Sequence, residues 1–222
     1  MKNCYFNHET ISNKSLTMLQ KLEKSIKIHK INFIPEQSAL LVLDMQRYFL
    51  DANSHAYIQN ALPIISKIKK LADVFNEKNL PVILTRHLNT KEDAKLIDRW
   101  WKDLISEKDN LSEIIPELNF PNSIVIRKTQ YDGFYQTPLE DILKEKGIVQ
   151  IIITGVMTHL CCETTARSAF VRGFTVFFPV DGTATYNKNF HWATLLNLSH
   201  GFTIPVLMKE LQHYLEAVKI GH

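Results

Sequence analysis

The sequence predicts an α/β domain built on a mainly parallel β-sheet. Short β-branched apolar runs alternate along the chain with segments in which apolar residues recur every three or four positions. Strands and helices that alternate in this way form βαβ units with right-handed connections. Ligands of such sheets bind beyond the carboxyl ends of the strands, so the residues that follow each strand are the first candidates for a functional site.

Composition favours a small-molecule partner. The chain has 222 residues, of which 45% are hydrophobic and 22% are charged, as in an ordinary globular domain. The net charge is +3 and the lysines are scattered among glutamates, so there is no basic stripe for nucleic acid or an anionic membrane. No apolar run reaches the roughly 18 residues of a membrane span. The three cysteines are odd in number and two are adjacent, which favours a reducing, cytoplasmic location.

Residues 1–33 are predicted to form an amphipathic helical extension. This part is polar and lysine-rich, and Leu16, Leu19, Leu22 and Ile26 follow helical spacing. We expect it to lie on the main body or on another subunit. Residues 34–222 are predicted to form a single domain, because no linker or repeat interrupts the alternation of strands and helices.

The first βαβ unit follows this extension. A continuous apolar run at residues 39–43 ends in Asp44, as expected for a central strand buried on both faces. Helical spacing continues from Ile58 to Phe75, and residues 81–86 form the second predicted strand. The next segment, up to about residue 115, is charged and irregular, which indicates a surface excursion near the strand ends.

The third predicted strand, residues 123–128, ends in Lys128. After it, Thr137 is predicted to cap a helix whose first residue is Pro138 and which ends at Gly147. The fourth strand begins near Ile151, and a sharp turn and a helix follow it. The remaining predicted elements are a strand at 174–180, a helix at 189–198, a strand at 203–207 and a final helix through Val218.

Three reactive side chains follow predicted strands. Asp44 and Lys128 stand at strand ends, and Cys161 lies in the turn after the fourth strand. A thiol needs a base and a nearby cation to act as a nucleophile at neutral pH. Asp44 is the expected base, and Lys128 together with the helix N-terminus is expected to lower the pKa of Cys161. Each residue also has an ordinary interpretation, because strand-end acids and lysines are often solvated or ion-paired and free cysteines often pack in the core, as expected for Cys162.

The same residues carry a family resemblance. The motifs are Leu43-Asp-Met-Gln-Arg-Tyr-Phe49, Thr85-Arg-His87, Lys128 with Tyr131-Asp-Gly-Phe134, and Thr154-Gly-Val-Met-Thr-His-Leu-Cys161. Over about residues 34–212 the chain resembles the isochorismatase-like cysteine hydrolases. The resemblance implies a Rossmann-like, three-layer α/β/α sandwich with a mainly parallel central sheet. It also implies a catalytic triad of Asp44, Lys128 and Cys161 that hydrolyses small amides.

The resemblance implies further features of the site. The backbone N–H groups of Met157 and Cys161 would hold the oxyanion, and the peptide bond between Val156 and Met157 would be cis. Members of the family commonly assemble, so we expect a homo-oligomer, a dimer or a tetramer. The family's nicotinamidases carry an Asp-x-His metal cluster after the second strand, where this chain has only His87, so we predict no metal and no cofactor.

The substrate pocket is expected to be mostly apolar with a few polar groups. The candidates come from the segments that follow the strands: Gln46, His87, Trp100, Trp101, Tyr131, Phe134 and His159. Packing in the core or against another subunit is the alternative for the two tryptophans and for Phe134.

Three functions follow from these residues. The leading hypothesis is a hydrolase that cleaves a small amide, carbamoyl or related C–N substrate through a covalent, thioester-like intermediate on Cys161. The first alternative is an isochorismatase-type vinyl-ether hydrolase in which Asp44 is the acid, although isochorismatases proper have glycine where this chain has Cys161. The second is a non-catalytic binding protein on the same scaffold.

Overall fold

A single parallel sheet forms the centre of the molecule. The computed structural model describes residues 2–217, so the predicted end of the last helix, Val218, lies outside the described residues. Seven strands form the sheet and all their pairings are parallel. Their bounds are β1 Ser38–Leu43, β2 Val82–His87, β3 Ile124–Lys128, β4 Gln150–Val156, β5 Thr175–Pro179, β6 Thr183–Ala184 and β7 Thr203–Val206.

Helices flank this sheet, and together they confirm the predicted α/β fold. Their bounds are α1 Ile11–Ser25, α2 Arg47–Leu50, α3 Leu62–Glu77, α4 Ile97–Trp100, α5 Leu139–Glu145, α6 Glu163–Val171, α7 Lys188–Gly201 and α8 Met208–Ala217. In the part of the chain that the structure describes, no helix is long and apolar enough to cross a membrane.

The strand order places a topological switch point at the centre of the sheet. The order is β3-β2-β1-β4-β5-β7, and β6 pairs with the end of β4. From β1 the chain moves outward to β2, and from β4 it moves outward in the opposite direction to β5. Right-handed connections therefore put α3 and α6 on opposite faces of the sheet. The carboxyl ends of β1 and β4 border the crevice where ligands of such sheets bind.

Burial follows position in the sheet. Every residue of β1 and β4 is buried, as predicted for central strands with helices on both faces. The edge strand β3 alternates instead, so that Val125 is exposed while Ile126 and Lys128 are buried. Lys128 is therefore a charged side chain that an edge strand carries inward.

The buried face of α1 differs from the predicted one. The helix buries Ile11, Met18, Leu19 and Leu22 against the main core, but Leu16 is 38% exposed. The buried stripe passes through Ser15, one residue and about 100° around the helix from Leu16, and Ile26 lies beyond the end of the helix at Ser25. Its inner face contacts α7, and this part of the chain shares the hydrophobic core of the domain.

Two predicted helix starts were slightly early. Ile58 precedes a short 3-10 segment, Gln59–Ala61, and α3 begins only at Leu62. In α5, Pro138 itself is the N-cap, and the Thr137 hydroxyl accepts a hydrogen bond from the Leu139 N–H at 3.3 Å. The helix α5 thus begins one residue after the predicted start and α3 begins four residues after it, and the order of elements is unchanged.

Gly155 lets the two central strands approach each other at their ends. Its φ is +108°, and a Cβ atom at this position would lie 2.1 Å from the Leu43 carbonyl oxygen. Only glycine fits, because a side chain would force apart the strand ends that carry Asp44 and the Cys161 turn.

Replacing Gly155 with alanine should therefore lower the free energy of unfolding by about 3–5 kcal/mol, the size of a severe core defect. Gly147→Ala is the matched control, because Gly147 also has a positive φ, +65°, but an added Cβ meets nothing within 4 Å. We expect that control to cost only about 1 kcal/mol. Urea unfolding of both variants measures the difference, and equal costs would contradict the proposed close approach.

Candidate active site

Asp44 is turned into the site at the point where β1 ends. Its φ is +53°, a left-handed conformation that aspartate adopts more readily than most residues. The side chain is completely buried, and its Oδ1 accepts a hydrogen bond from the Thr85 hydroxyl at 2.6 Å. The same hydroxyl accepts a hydrogen bond from the Asp44 N–H at 3.1 Å. Thr85, on β2, therefore fixes the orientation of the carboxylate.

Lys128 links the three predicted catalytic side chains. Its Nζ lies 2.9 Å from Asp44 Oδ2 and 3.3 Å from Cys161 Sγ. The ammonium also contacts the Gln130 carbonyl oxygen at 2.9 Å and His87 Nδ1 at 3.1 Å. Four acceptors thus surround three N–H groups, which holds the ammonium in place at the end of β3.

The cysteine lies in a π-helical turn, Thr158–Cys162, that joins β4 to α6. The peptide bond between Val156 and Met157 is cis, as the family resemblance implied. Cys161 is 5% exposed and faces a cavity, whereas Cys162 is completely buried in the core. The turn therefore presents one thiol to the cavity and packs its neighbour away from it.

The pKa of the Cys161 thiol differs from the prediction. Burial raises the pKa of Cys161 to about 12, and the nearby Lys128 ammonium opposes this effect without overcoming it. Burial also acts on Asp44, but there the charge of Lys128 and the Thr85 hydrogen bond prevail and lower the pKa of the carboxyl group. The thiol pKa therefore differs from the expected lowered value, because burial is the largest effect and the negative charge of Asp44 adds to it.

The resting site therefore contains a carboxylate, an ammonium and a neutral thiol. The charge of Lys128 is retained: burial alone would lower the pKa of its ammonium, but Asp44 and Cys161 raise it above its usual value. A carboxylate oxygen of Asp44 and the Cys161 sulfur lie within 4.8 Å of each other, and Asp44 Oδ2 forms an ion pair with the Lys128 ammonium at 2.9 Å. The carboxylate can accept the thiol proton.

His87 is neutral and fixed in its orientation. Burial, followed by the charge of Lys128, lowers its pKa to about 4. Since Nδ1 faces the Lys128 ammonium, the ring proton is on Nε2, which donates to Asn89 Oδ1 at 2.8 Å. Gln46 was predicted to line the cavity, but it does not. Its buried amide holds the backbone of His87 from both sides, with the His87 N–H at 2.8 Å and the His87 carbonyl at 3.1 Å.

A cavity of about 180 Å³ opens above the thiol. Its walls include Met157 and Cys161, the residues assigned to the oxyanion site, and three of the predicted pocket residues, His87, Trp101 and Tyr131. The Trp101 indole N–H donates to the Tyr131 hydroxyl at 2.6 Å, so these two side chains form one wall.

Three other predicted pocket residues lie elsewhere. Trp100 is 76% exposed, because the short helix α4 turns it outward while Trp101 turns inward. Phe134 is buried against Phe174, with ring centroids 5.9 Å apart. His159 hydrogen-bonds to the Thr185 hydroxyl at 2.7 Å behind the nucleophile turn and does not line the cavity.

The sequence reasoning missed several cavity residues. They lie on the segments that follow β1, β2, β4 and β6, and they include Tyr48, Phe49, His55, Asp103, Leu160 and Tyr186. Tyr48 and Phe49 stand in the first turn after Asp44, so their position beyond a strand end was an available signal. His55, Asp103 and Tyr186 lie in irregular loops, for which periodicity gives no indication of direction.

A divalent metal does not fit the one cluster of possible ligands found among residues 2–217. Asp44, His87 and Cys161 bring their ligand atoms within 4.8 Å of one another. The Lys128 ammonium, however, lies between 2.9 and 3.3 Å from the contacting atoms of all three residues. A metal ion there would be buried beside a like charge, which is strongly unfavourable. The absence of a metal remains a prediction.

Comparison with known proteins gives the family. The family model of the isochorismatase domain matches residues 38–210, which contain the whole site described above. The chain belongs to the isochorismatase family. It is 39% identical over 184 residues to nicotinamidase 3 of Arabidopsis thaliana, covering 80% of this chain and 88% of that protein.

A second relative in the isochorismatase family is longer than this chain. Enterobactin synthase component B of Escherichia coli K12 is 32% identical over 169 residues, covering 73% of this chain and 58% of that protein. Its match therefore leaves a large part of that protein without a counterpart in the aligned region.

Solved structures show the same fold. A cysteine hydrolase from Pseudomonas syringae pv. phaseolicola 1448A superposes with a TM-score of 0.83 at 22% identity, covering 87% of this chain and 99% of that chain. An isochorismatase-like hydrolase from Alkaliphilus metalliredigens gives a TM-score of 0.71 at 25% identity, with coverages of 80% and 99%. These matches confirm the α/β architecture of the family, and together with the sequence relatives they identify the chain as a hydrolytic enzyme.

Alkylation tests the protonation state of the thiol. Because the pKa of Cys161 is raised to about 12, the fraction of thiolate, and with it the rate of reaction with iodoacetamide, should increase about tenfold per pH unit through pH 9. Peptide mapping separates Cys161 from the exposed Cys4, which is an internal control for reagent activity. A rate for Cys161 that is already at its plateau at pH 7 would show a resting thiolate.

Proposed function

We propose that the enzyme hydrolyses a small amide with Cys161 as nucleophile, Asp44 as general acid and base, and Lys128 as a fixed positive charge. The observation that carries this proposal is the arrangement of the three side chains at the carboxyl edge of the sheet, where the thiol faces a cavity and the Lys128 ammonium contacts both the thiol and Asp44 Oδ2.

The first half of the reaction forms a thioester. Sγ of Cys161 attacks the carbonyl carbon while the thiol proton moves to Asp44, so no net charge is created in the buried site. The carbonyl oxygen takes up negative charge, which the backbone N–H groups of Met157 and Cys161 would stabilise. The C–N bond then breaks, and Asp44 returns the proton to the leaving nitrogen, which departs as ammonia from a primary amide.

The second half regenerates the enzyme. A water molecule attacks the thioester carbon and gives its proton to Asp44, and the C–S bond breaks to release the carboxylic acid. The proton on Asp44 returns to the sulfur. Lys128 keeps its charge throughout and stabilises both the carboxylate and the developing thiolate, which it contacts at 2.9 and 3.3 Å.

The cavity favours a planar ring that carries a carboxamide. Aromatic side chains form much of its wall, among them Tyr48, Phe49, Trp101, Tyr131 and Tyr186. A space of about 180 Å³ suits a single ring and excludes large substrates. Nicotinamide has this shape and chemistry, and the relative that is 39% identical is a nicotinamidase. Carbamoyl compounds, with the same planar C–N group, are the neighbouring substrate class.

Vinyl-ether hydrolysis is less compatible with the site. That reaction needs a protonated Asp44 to donate a proton to the substrate. Here Lys128 and the Thr85 hydrogen bond lower the pKa of Asp44, so the donor form is scarce at neutral pH. The match to the family model of the isochorismatase domain makes isochorismate a necessary comparison substrate all the same.

Cys161→Ala should reduce kcat/KM for nicotinamide by at least ~10⁴-fold, because the covalent route is lost. Release of ammonia from nicotinamide and N-carbamoylsarcosine detects C–N cleavage directly, and release of pyruvate from isochorismate, which contains no nitrogen, detects ether cleavage in a parallel assay. The matched control is Cys162→Ala, which removes the neighbouring thiol from the core and should leave kcat/KM within about threefold of wild type.

Two outcomes would count against the proposal. Retained ammonia release in Cys161→Ala would exclude the thiol from the mechanism. Turnover of isochorismate without any amide hydrolysis by the wild type would favour the ether hydrolase, and binding without turnover of any substrate would favour a binding protein.

A further inference from the structure

The first residues of the chain connect two loops that form the walls of the cavity. We call residues 2–6 the N-terminal strap. The strap precedes the region that the family model matches, which begins at residue 38. One loop it contacts contains His55, and the other contains Tyr186, and both of these side chains line the cavity. The strap itself does not line the cavity and does not contact the triad.

Lys2 contacts both loops at once. Its Nζ donates to the carbonyl oxygens of His55 at 2.6 Å and Tyr57 at 2.9 Å. The same ammonium lies 4.7 Å from the centroid of the Tyr186 ring, within the range of a cation–π interaction. The lysine thus holds the backbone of the first loop and the aromatic side chain of the second.

The strap also holds the backbone of the second loop. The Asn3 N–H donates to the Tyr186 carbonyl oxygen at 2.9 Å, and the Tyr5 hydroxyl accepts from the Thr185 N–H at 3.1 Å. The Thr185 hydroxyl in turn contacts His159, which lies in the nucleophile turn. Displacement of the strap would therefore leave backbone groups beside the cavity without partners.

The buried side chain of Asn60 fixes the strap through hydrogen bonds. Its Oδ1 accepts from the N–H groups of Tyr5 at 2.8 Å and Phe6 at 3.1 Å, and its Nδ2 donates to the carbonyl oxygens of Asn3 at 2.8 Å and Thr185 at 3.0 Å. The side chain is 1% exposed, and all four of its hydrogen-bonding positions are used. One buried amide thereby ties the strap to the second loop.

We propose that the N-terminal strap positions the cavity wall for substrate binding. By joining the His55 loop to the Tyr186 loop, it sets the separation of two side chains that would contact a planar substrate. The catalytic groups belong to strand ends and to the turn after β4, which the central sheet holds independently of the strap. Loss of the strap contacts should therefore weaken binding more than it slows chemistry. The kinetic part of this inference rests on the proposed amide hydrolysis.

Lys2→Met tests the strap with little risk to folding, because Lys2 is an exposed residue. We expect KM for nicotinamide to increase roughly three- to tenfold while kcat stays within about twofold of wild type. Lys21→Met is the matched control: Lys21 also lies over an aromatic ring, 4.6 Å from the centroid of Trp192, but this pair does not line the cavity. That control should leave both constants unchanged. Lys2→Arg keeps the charge and can donate to two carbonyls, so its KM should be close to that of the wild type.

Hydrogen–deuterium exchange gives a readout that needs no substrate. In Lys2→Met, peptides that cover residues 54–58 and 183–187 should exchange at least about threefold faster, and iodoacetamide should reach Cys161 faster. Lys21→Met should change neither. Unchanged exchange in Lys2→Met, or faster exchange with an unchanged KM, would overturn the positioning role. If the wild type hydrolyses no amide, the proposed function fails, whereas exchange and alkylation still decide whether the strap holds the cavity walls.

Discussion

The ion pair between Asp44 and Lys128 is the interaction on which the rest of the site depends. Both side chains are buried, and removing one partner of such a pair leaves an uncompensated charge that costs about 3–5 kcal/mol. Because the charge of Asp44 offsets that of Lys128, the lysine lowers the pKa of the buried Cys161 thiol too little to ionise it, and the thiol remains protonated at rest. The net charge of the three side chains is zero before the reaction and stays zero if the proton only moves from sulfur to carboxylate. This constraint explains why a thiol with a raised pKa can still serve as a nucleophile: deprotonation and attack are coupled.

The topology of the sheet creates this arrangement. Asp44 and the Cys161 turn follow the two central strands on either side of the switch point, where a crevice forms in any open parallel sheet. Gly155 allows these strand ends to approach closely, and Lys128 reaches in from the edge strand, two places away from β1. The strand β2, which lies between β1 and β3, contributes two residues: Thr85 orients the Asp44 carboxylate, and His87 accepts a hydrogen bond from the Lys128 ammonium. Each strand end thus supplies one part of a single charge-balanced group.

The sequence was sufficient to predict the features that depend on apolar periodicity or on position at a strand end. Six of the seven strands in the described chain, their parallel arrangement and the positions of Asp44, Lys128 and Cys161 follow from apolar runs with a reactive residue at or just beyond their ends, whereas the two-residue strand β6 was not predicted. The thiol pKa could not be predicted, because it depends on the degree of burial and on Lys128 being neutralised by Asp44. Cavity residues on irregular loops, such as His55 and Tyr186, were missed since no period fixes their direction. Trp100 and Trp101 were indistinguishable in sequence, and only the turn of a short helix separates the exposed ring from the cavity wall. The N-terminal strap depends on long-range hydrogen bonds that leave no local pattern.

Covalent catalysis at Cys161 is the central claim, and trapping the intermediate tests it most directly. Wild-type enzyme mixed with excess nicotinamide and quenched in acid within milliseconds should show, by intact-protein mass spectrometry, a fraction of chains that carry one added acyl group. Peptide mapping should place that group on Cys161, since neutral hydroxylamine releases a thioester. Acylation of Cys161 that appears and decays at the rate of turnover is the result we predict. Complete turnover with no acyl group on Cys161 at any quench time would contradict the account.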